Sequence, residues 1–469
     1  MLLKNRFYIK KENINPNVFR HFTYYGQDTY TKDDIKIETF KDYNDYFGFG
    51  RGDLQKIYDI WGEDNIVDRR DVVPMKYPLK FTGVKGKGYE ELKPEQRVAL
   101  KQWLGFGYGL VQAPPRWGKS VWLAALTCAL KQKTIIFAHT IDLVNQLEEE
   151  FRAWTNINEL EALHGKKLIG NFRPGQKRFY PLITFSTWQY LNNHLNFLKA
   201  KSNKVGFVAV DEAHRVSAEC YTRVITSTNS YYRLGITATP TLKSGLDVIV
   251  YDILGPVTVI SETEMLRVTS NIIFTNYTLQ AEDWGKYLTI AAAHEGRNIF
   301  ISEQVLKDVK SNHVVLITTD RVKHTTLLKN ILISLEPSLR IKIITGKTKE
   351  KDRISIRNSA KLGEIDIVIA MNSIVQLGWN VPRLSVIHNT MPIANVENWY
   401  QRLSRVRTPY VPTSPNDDYI KPNPICRIYV DDYVDGMGIP VKGIKYGYMN
   451  TIKKVADRIE CEVTYGKRQ

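Results

Sequence analysis

The run Val111-Gln112-Ala113-Pro114-Pro115-Arg116-Trp117-Gly118-Lys119-Ser120 constrains this chain more than any other segment. A short apolar approach leads into it, and the helical run Val121-Trp122-Leu123-Ala124-Ala125-Leu126 follows it. A strand, a turn ending Gly-Lys-Ser and then a helix is the layout of a nucleotide phosphate site. The turn aims backbone N–H groups at the β- and γ-phosphates. Lys119 adds a point charge there, and Ser120 offers a hydroxyl to Mg²⁺. Gly118 and Ala113 are further candidate nucleotide contacts, and Ala113 stands where the usual pattern has its first glycine.

Further along, Val205-Gly206-Phe207-Val208-Ala209-Val210 is an apolar run of the kind a buried parallel strand needs. It ends at Asp211-Glu212-Ala213-His214. Carboxylates at the C-terminal tip of such a strand sit where ligands bind in an open α/β sheet. Asp211 suits Mg²⁺, held through water, and Glu212 suits the orientation and deprotonation of an attacking water. A third run, Tyr232-Arg233-Leu234-Gly235-Ile236, ends at Thr237-Ala238-Thr239-Pro240.

Three strand-end motifs in this order make the chain resemble the superfamily-two helicases and translocases, with a box reading Asp-Glu-Ala-His. The resemblance covers roughly residues 90–410. It implies an α/β fold of two RecA-like, doubly wound parallel-sheet domains, with ATP in the cleft between them and nucleic acid across the top. Gln96 falls where the family has its adenine-reading glutamine. Phe137-Ala138-His139-Thr140, with Leu143 and Gln146 after it, resembles the first strand-contacting motif. Thr184-Phe185-Ser186-Thr187-Trp188-Gln189 resembles a later one. His139, Thr140, Thr187 and Gln189 are therefore candidate nucleic-acid contacts. Each segment also reads as an ordinary strand end followed by a helix. The resemblance gives His214, Thr237, Thr239 and Gln401 the role of coupling cleft closure to strand contacts.

The second half matches with departures. Ile365-Asp366-Ile367-Val368-Ile369-Ala370-Met371-Asn372 is strand-like and leads into Gln376-Leu377-Gly378-Trp379-Asn380. Gly378 matches a nucleotide-contacting glycine of the family, and the family's acidic residue after it is Asn380, an uncharged hydrogen-bonding amide. Gln401-Arg402-Leu403-Ser404-Arg405-Val406-Arg407 resembles the arginine-finger motif. Ser404 stands where glycine is usual, and Arg407 comes one residue early, with Thr408 at the expected place. Arg405 keeps its spacing from Gln401 and is the first choice for charge stabilisation at the γ-phosphate, with Arg402 and Arg407 as second choices.

Formal net charge is +16 over 469 residues. The excess lies on the two motor halves: 22 Lys/Arg against 14 Asp/Glu over residues 81–256, and 29 against 22 from 257 onward. A basic bias of this kind favours a polyanionic partner. No run of about eighteen apolar residues occurs, so no membrane span is expected. The four cysteines, Cys128, Cys220, Cys426 and Cys461, lie far apart in neither metal-ligand nor disulfide spacing. A reduced, cytoplasmic setting is expected, in the host cell if the chain is phage-encoded.

Residues 1–80 precede every motor motif, are nearly neutral and hold 15 aromatic residues. They read as a small α+β module. Arg6-Phe7-Tyr8-Ile9 and Ile35-Lys36-Ile37-Glu38 read as strands, and Asp53 as the cap of a helix starting at Leu54. One reading makes this module a grip on forked DNA through Arg51, Arg69, Arg70 and stacked aromatics. The other uses the aromatics to fill a small core, and the pattern favours it. Gly48, Gly50 and Gly52 permit close backbone approach to a phosphate. The expected boundaries are 81–256 for the first RecA-like domain, 257–435 for the second and 436–469 for a C-terminal extension. Arg427-Ile428-Tyr429-Val430 reads as the last strand. Lys347 follows a strand and is a further candidate backbone contact.

The expected activity is that of an ATP- and Mg²⁺-dependent DNA helicase or translocase acting on forks and four-way junctions. Its compact layout resembles phage helicases of the UvsW type, which remodel branched DNA in replication, recombination and repair. The alternatives are an RNA helicase and a DNA-stimulated ATPase subunit of a restriction-type complex that translocates without separating strands.

Overall fold

The strand Thr134–Ala138 is buried along its whole length, and its side chains part to two faces. Ile136 and Ala138 join an apolar cluster with Trp103, Trp122 and Leu123. Ile135 and Phe137 join another with Val208, Val210 and Tyr221. A strand covered on both sides reads as continuous apolar sequence and belongs inside a parallel sheet. The computed structural model places it there. It describes residues 1–27, 33–200, 204–214, 219–238, 240, 245–375, 381–392, 395–412, 417–435 and 437–467. Thr239, Gly378 and Asn380 lie outside the described residues.

The chain divides into two compact units, Met1–Thr263 and Glu264–Gln469. In the first, seven parallel strands run in the order Ile169–Asn171, Ile183–Thr187, Thr134–Ala138, Phe207–Asp211, Tyr232–Thr237, Tyr108–Gln112 and Val257–Ile260. Helices that include Lys119–Leu130 and Ile141–Trp154 cover the sheet. The strand Val257–Ile260, which the sequence assigned to the second domain, pairs with Tyr108–Gln112 and forms an edge of this first sheet.

The second unit repeats the plan. Its parallel strands run Ile341–Ile344, Ile367–Met371, Val314–Thr319, Leu384–Asn389, Ile425–Val434, Thr269–Gln280 and Glu462–Lys467. Leu316, Val368 and Ile387 pack with Trp399 and Leu403 on one face. Ile317, Ile369 and Val386 pack with Ile301 and Leu328 on the other. These are two RecA-like, doubly wound sheets, as expected. The residues read as an extension take part in the second one. The helix Lys442–Arg458 puts Tyr448, Ile452 and Val455 into its core, and Glu462–Lys467 lies along Thr269–Phe274 as an edge strand. Ile425–Val434 is therefore not the last strand.

The N-terminal residues form a five-stranded sheet, Lys41–Asp42, Tyr46–Phe49, Phe7–Lys10, Leu2–Leu3 and Val67–Asp68, beside the hairpin Thr23–Gln27 with Asp34–Glu38. Asp53 caps the helix Leu54–Trp61 by accepting from the Lys56 N–H at 3.1 Å. The aromatics fill a core: Phe22 and Phe49 rings lie 4.6 Å apart, and Phe7 and Trp61 4.7 Å. The glycine-rich turn closes on protein. The Gly52 N–H donates to the Asp252 carbonyl at 2.7 Å, and a Cβ at Gly52 would lie 2.2 Å from the Tyr251 carbonyl oxygen. Two further bonds tie the module down, Asn5 Nδ2 to the Thr226 carbonyl at 2.7 Å and Arg233 Nη2 to the Asn5 carbonyl at 3.0 Å.

Arg51 requires a correction. Only 4% of it is exposed, and its guanidinium donates to the Ser230 carbonyl. Burial, with Arg233 and Arg70 nearby, holds its pKa well below the usual value. A guanidinium committed inside the protein fastens the module and is not presented to a phosphate backbone.

Candidate nucleotide and nucleic-acid site

The phosphate loop joins the strand Tyr108–Gln112 to the helix Lys119–Leu130, so Lys119 opens the helix and Ser120 follows in its first turn. Ala113 is buried, and its N–H donates to the Thr237 carbonyl at 2.9 Å, tying the loop's entry to the neighbouring strand end. Gly118 has φ 97°, a conformation that favours glycine, and a Cβ there would lie 2.5 Å from the Gln96 amide nitrogen. Arg116 adopts φ 71°, strain of a kind that clusters at functional turns.

Gln96 lies against this loop. Its Oε1 accepts from the Lys93 N–H at 2.9 Å, and its Nε2 donates to the Trp117 carbonyl at 2.8 Å. Only 3% of the residue is exposed. In this conformation both ends of the amide serve the protein, bracing the loop and capping the helix Pro94–Phe106. A role in reading adenine requires that amide to exchange partners.

Asp211 ends the strand Phe207–Asp211, next but one to the phosphate-loop strand. Burial first, and then the Glu212 carboxylate, push its pKa up, while Lys119 pulls it down. That electrostatic link puts the loop lysine and the strand-end carboxylates in one site. The Glu212 N–H donates to Asp211 Oδ1 at 3.0 Å, and Glu212 has φ 54°, a left-handed conformation costing about 1–3 kcal/mol for such a residue. His214 faces two groups. Its Nδ1 lies 3.0 Å from the Thr237 hydroxyl and 3.4 Å from Glu212 Oε2.

The two strand-contacting candidates also come together. Ala138 and Thr187 are register partners on adjacent strands. Thr140 and Thr187 cap the helices that follow, accepting from the Leu143 and Tyr190 N–H groups. Gln189 Nε2 donates to the His139 carbonyl at 3.2 Å, and Trp188 Nε1 donates to His139 Nδ1 at 3.2 Å. Gln189 remains exposed.

In the second unit, the helix Val396–Leu403 carries Gln401, half-buried, and Arg402. Arg402 Nη1 donates to Asn389 Oδ1 at 3.3 Å, and burial lowers its pKa to about 10. Arg405 follows in the next turn, 7% exposed. Arg407 is tied to the start of its unit: its Nε donates to the Leu266 carbonyl at 3.0 Å, and the Leu266 N–H donates back to the Arg407 carbonyl at 2.9 Å. Lys347 is exposed after the strand Ile341–Ile344.

Sequence reasoning missed three groups here. Asn389 links Arg402 to the Thr318 hydroxyl, which donates to it at 3.2 Å. Asn372 has neither buried amide atom in a hydrogen bond. Trp117 is fully buried inside the phosphate loop. A tryptophan immediately before Gly-Lys-Ser was the one available signal.

Residues 90–242 match the family described as the type III restriction enzyme res subunit, and residues 297–408 match the helicase conserved C-terminal domain. The chain is 22% identical to the DNA 3'-5' translocase XPB2 of Sulfurisphaera tokodaii, over 78% of this chain and 85% of that protein. It is 25% identical to the probable helicase D10 of Escherichia phage T5, over 69% of this chain and 67% of that protein. Among solved structures, a Saccharomyces cerevisiae Dbp5 variant bound to RNA and ADP-BeF3 aligns over 81% of this chain and 95% of its own, with TM-score 0.54 and 13% identity, a likeness of fold. The crystal structure of T4 UvsW aligns over 96% of this chain and 95% of its own with TM-score 0.37 and 15% identity, which carries no argument about substrate. No helix among the described residues is long and apolar enough to cross a membrane.

Proposed function

We infer that this chain, a superfamily-two ATP-dependent helicase, is a motor that moves along DNA and separates or remodels its strands. The observation that carries this reading is the convergence of Lys119, Asp211, Glu212, His214 and Thr237 at the C-terminal ends of adjacent strands, next to the paired His139 and Thr187 motifs. The net charge of +16 suits a polyanionic track, and the likeness to a DNA 3'-5' translocase favours DNA as that track.

In this reading the loop N–H groups and Lys119 bind the β- and γ-phosphates. Glu212 orients water and takes its proton as the water attacks the γ-phosphorus and ADP leaves. Arg405 stabilises the charge that develops, with Arg402 and Arg407 beside it in sequence. The donors fit Mg²⁺: Ser120 and Asp211 offer hard oxygens, and the crowded charge of Asp211 and Glu212 is the kind a dication offsets. Ser120 and Asp211 would hold that ion, which supplies neutralisation of the phosphate oxygens. The His214–Thr237 bond relays the state of the carboxylate pair to the neighbouring strand end. His139, Thr140, Thr187, Gln189 and Lys347 contact the DNA backbone. Gln401, and with them Thr239 and Gly378, complete the coupling and nucleotide contacts.

Branched DNA is the preferred substrate we assign, because a module with a sheet and an apolar core of its own precedes the motor strands. The test compares ATP turnover with single strands, duplex, forks, four-way junctions and matched RNA, with strand displacement followed in parallel. Forks and junctions should stimulate most. Equal or greater stimulation by RNA would move the substrate to RNA. Stimulation by DNA without displacement would favour a translocating subunit of the restriction type, in line with the likeness of residues 90–242 to type III restriction enzyme res subunits.

A further inference from the structure

Trp117 is an unusual side chain for the middle of a phosphate loop, and it is completely buried. Its ring lies 5.5 Å from that of Trp122, whose Nε1 donates to the Gln96 carbonyl at 3.1 Å. Its own indole Nε1 donates to the Ser261 hydroxyl at 2.8 Å. Ser261 closes the first unit: its N–H donates to the Gln112 carbonyl at 2.9 Å, and the unit ends at Thr263. Thr263 is held too. Lys93 Nζ donates to its hydroxyl at 3.1 Å, and that hydroxyl donates to Glu95 Oε1 at 3.2 Å. Lys93 is the residue whose N–H the Gln96 side chain accepts.

One set of contacts therefore joins three things: the backbone of the phosphate loop, the glutamine that braces it, and the last residues before the chain passes into the second unit. We propose that Trp117 and Ser261 are positioning residues that carry a change of the phosphate loop to the segment connecting the two units. The physical basis is stiffness. An indole has few rotatable bonds and is packed on all sides here, so a loop that shifts around phosphates shifts the indole N–H with it. Buried, that N–H is costly to leave unpaired, so Ser261 follows it rather than let the bond break. Gln96 lies on the same path, because its Nε2 holds the Trp117 carbonyl. This inference rests on the proposed function in taking the loop as the ATP site.

The test is amide hydrogen exchange on the full chain with and without a non-hydrolysable ATP analogue, in wild type, Ser261→Ala and Ser261→Thr. Wild type should gain protection both in the phosphate loop, 113–120, and in the connecting segment, 261–268. Ser261→Ala should keep the first change and lose most of the second, and Ser261→Thr, which retains a hydroxyl, should recover it. Protection absent from the loop in wild type would sink the ATP-site reading. Loop protection present but connecting-segment protection absent in wild type, or unaltered by Ser261→Ala, would overturn the link alone. Turnover supplies the second readout. Ser261→Ala should hydrolyse ATP without nucleic acid within about twofold of wild type while its stimulation by DNA falls about tenfold, in line with an ordinary coupling energy between two sites. Trp117→Phe, which keeps an aromatic ring of smaller size and loses the N–H, should add no further loss of stimulation to Ser261→Ala. Losses that multiply, or equal losses of basal and stimulated turnover, would count against the link.

Discussion

His214 Nδ1 lies 3.0 Å from the Thr237 hydroxyl, joining the ends of two adjacent strands of the first sheet. The same nitrogen lies 3.4 Å from Glu212 Oε2. In the proposed mechanism, a change at the Glu212 carboxylate therefore reaches, through His214, the strand end that leads to Thr239. Thr237→Ala removes that partner without touching the phosphate loop's lysine or either carboxylate. We expect ATP turnover within a few-fold of wild type, with strand displacement reduced about tenfold, the size of a typical coupling free energy. Parallel losses in both assays would mean that the bond supports the fold of the site and does not relay its state.

Glu212→Gln keeps the shape of the side chain and removes its capacity as a base. Turnover should fall by about 10²–10⁴-fold, while nucleotide binding persists. The variant should accumulate bound ATP, measurable by filter retention of labelled nucleotide. If Asp211→Asn abolishes turnover and Glu212→Gln does not, the two carboxylates have exchanged roles.

Arg405 keeps its spacing from Gln401, and Arg407 is tied to the backbone at the start of its unit. The Arg407 Nε is spent on the Leu266 carbonyl, a tie to the strap entering the second unit. Its loss should cost about 1 kcal/mol of stability, the ordinary worth of such a bond, and change turnover little. Arg405→Ala should slow hydrolysis about 10³-fold or more at saturating ATP and DNA, the range for a lost arginine finger. A larger loss of turnover at Arg407 would transfer the finger to the residue whose spacing has shifted.

How much of this was legible in the chain follows from how local each feature is. The proposed phosphate loop and the Asp211-Glu212 pair are contiguous motifs at the ends of apolar runs, so the sequence alone placed them at strand ends, as the structure does. Asp53 was legible as a cap for the same reason. Arg51 was not, because nothing in its neighbourhood shows that Gly50 and Gly52 let the turn close on Asp252, Tyr251 and Gly255, about two hundred positions away in the chain. The strand Glu462–Lys467 escaped because an edge strand with one neighbour has little need of apolar side chains; its Tyr465 is exposed. The Trp117–Ser261 bond spans 144 positions and leaves no periodic trace.

The seat of the N-terminal module should be sensitive to pH through Asp252. Burial pushes this carboxyl up to about 7, and Asp53 adds to the effect, while Arg6, the Thr39 hydroxyl and Lys56 oppose it. Thr39 Oγ1 donates to its Oδ1 at 3.1 Å, and a Cβ at Gly50 would overlap the carboxylate, so the group lies within the contact between module and motor domain. Because the folded value lies above the ordinary 3.8, the folded chain holds a proton that the unfolded chain has released between the two values. The resulting stabilisation is complete below about pH 4, declines as pH rises and is gone above about pH 7, a change on the order of a few kcal/mol. Asp252→Asn has nearly the same shape, can still accept from Thr39 and does not titrate. Other carboxylates titrate in both proteins, so the quantity to measure is the difference in melting temperature between wild type and the variant from pH 4.5 to 8.5. Wild type should lose ground steadily to the variant up to about pH 7 and then run parallel to it. A difference that stays flat across the whole range would mean that Asp252 remains ionised in the folded protein, paired with Arg6, and that the module is held independently of its protonation.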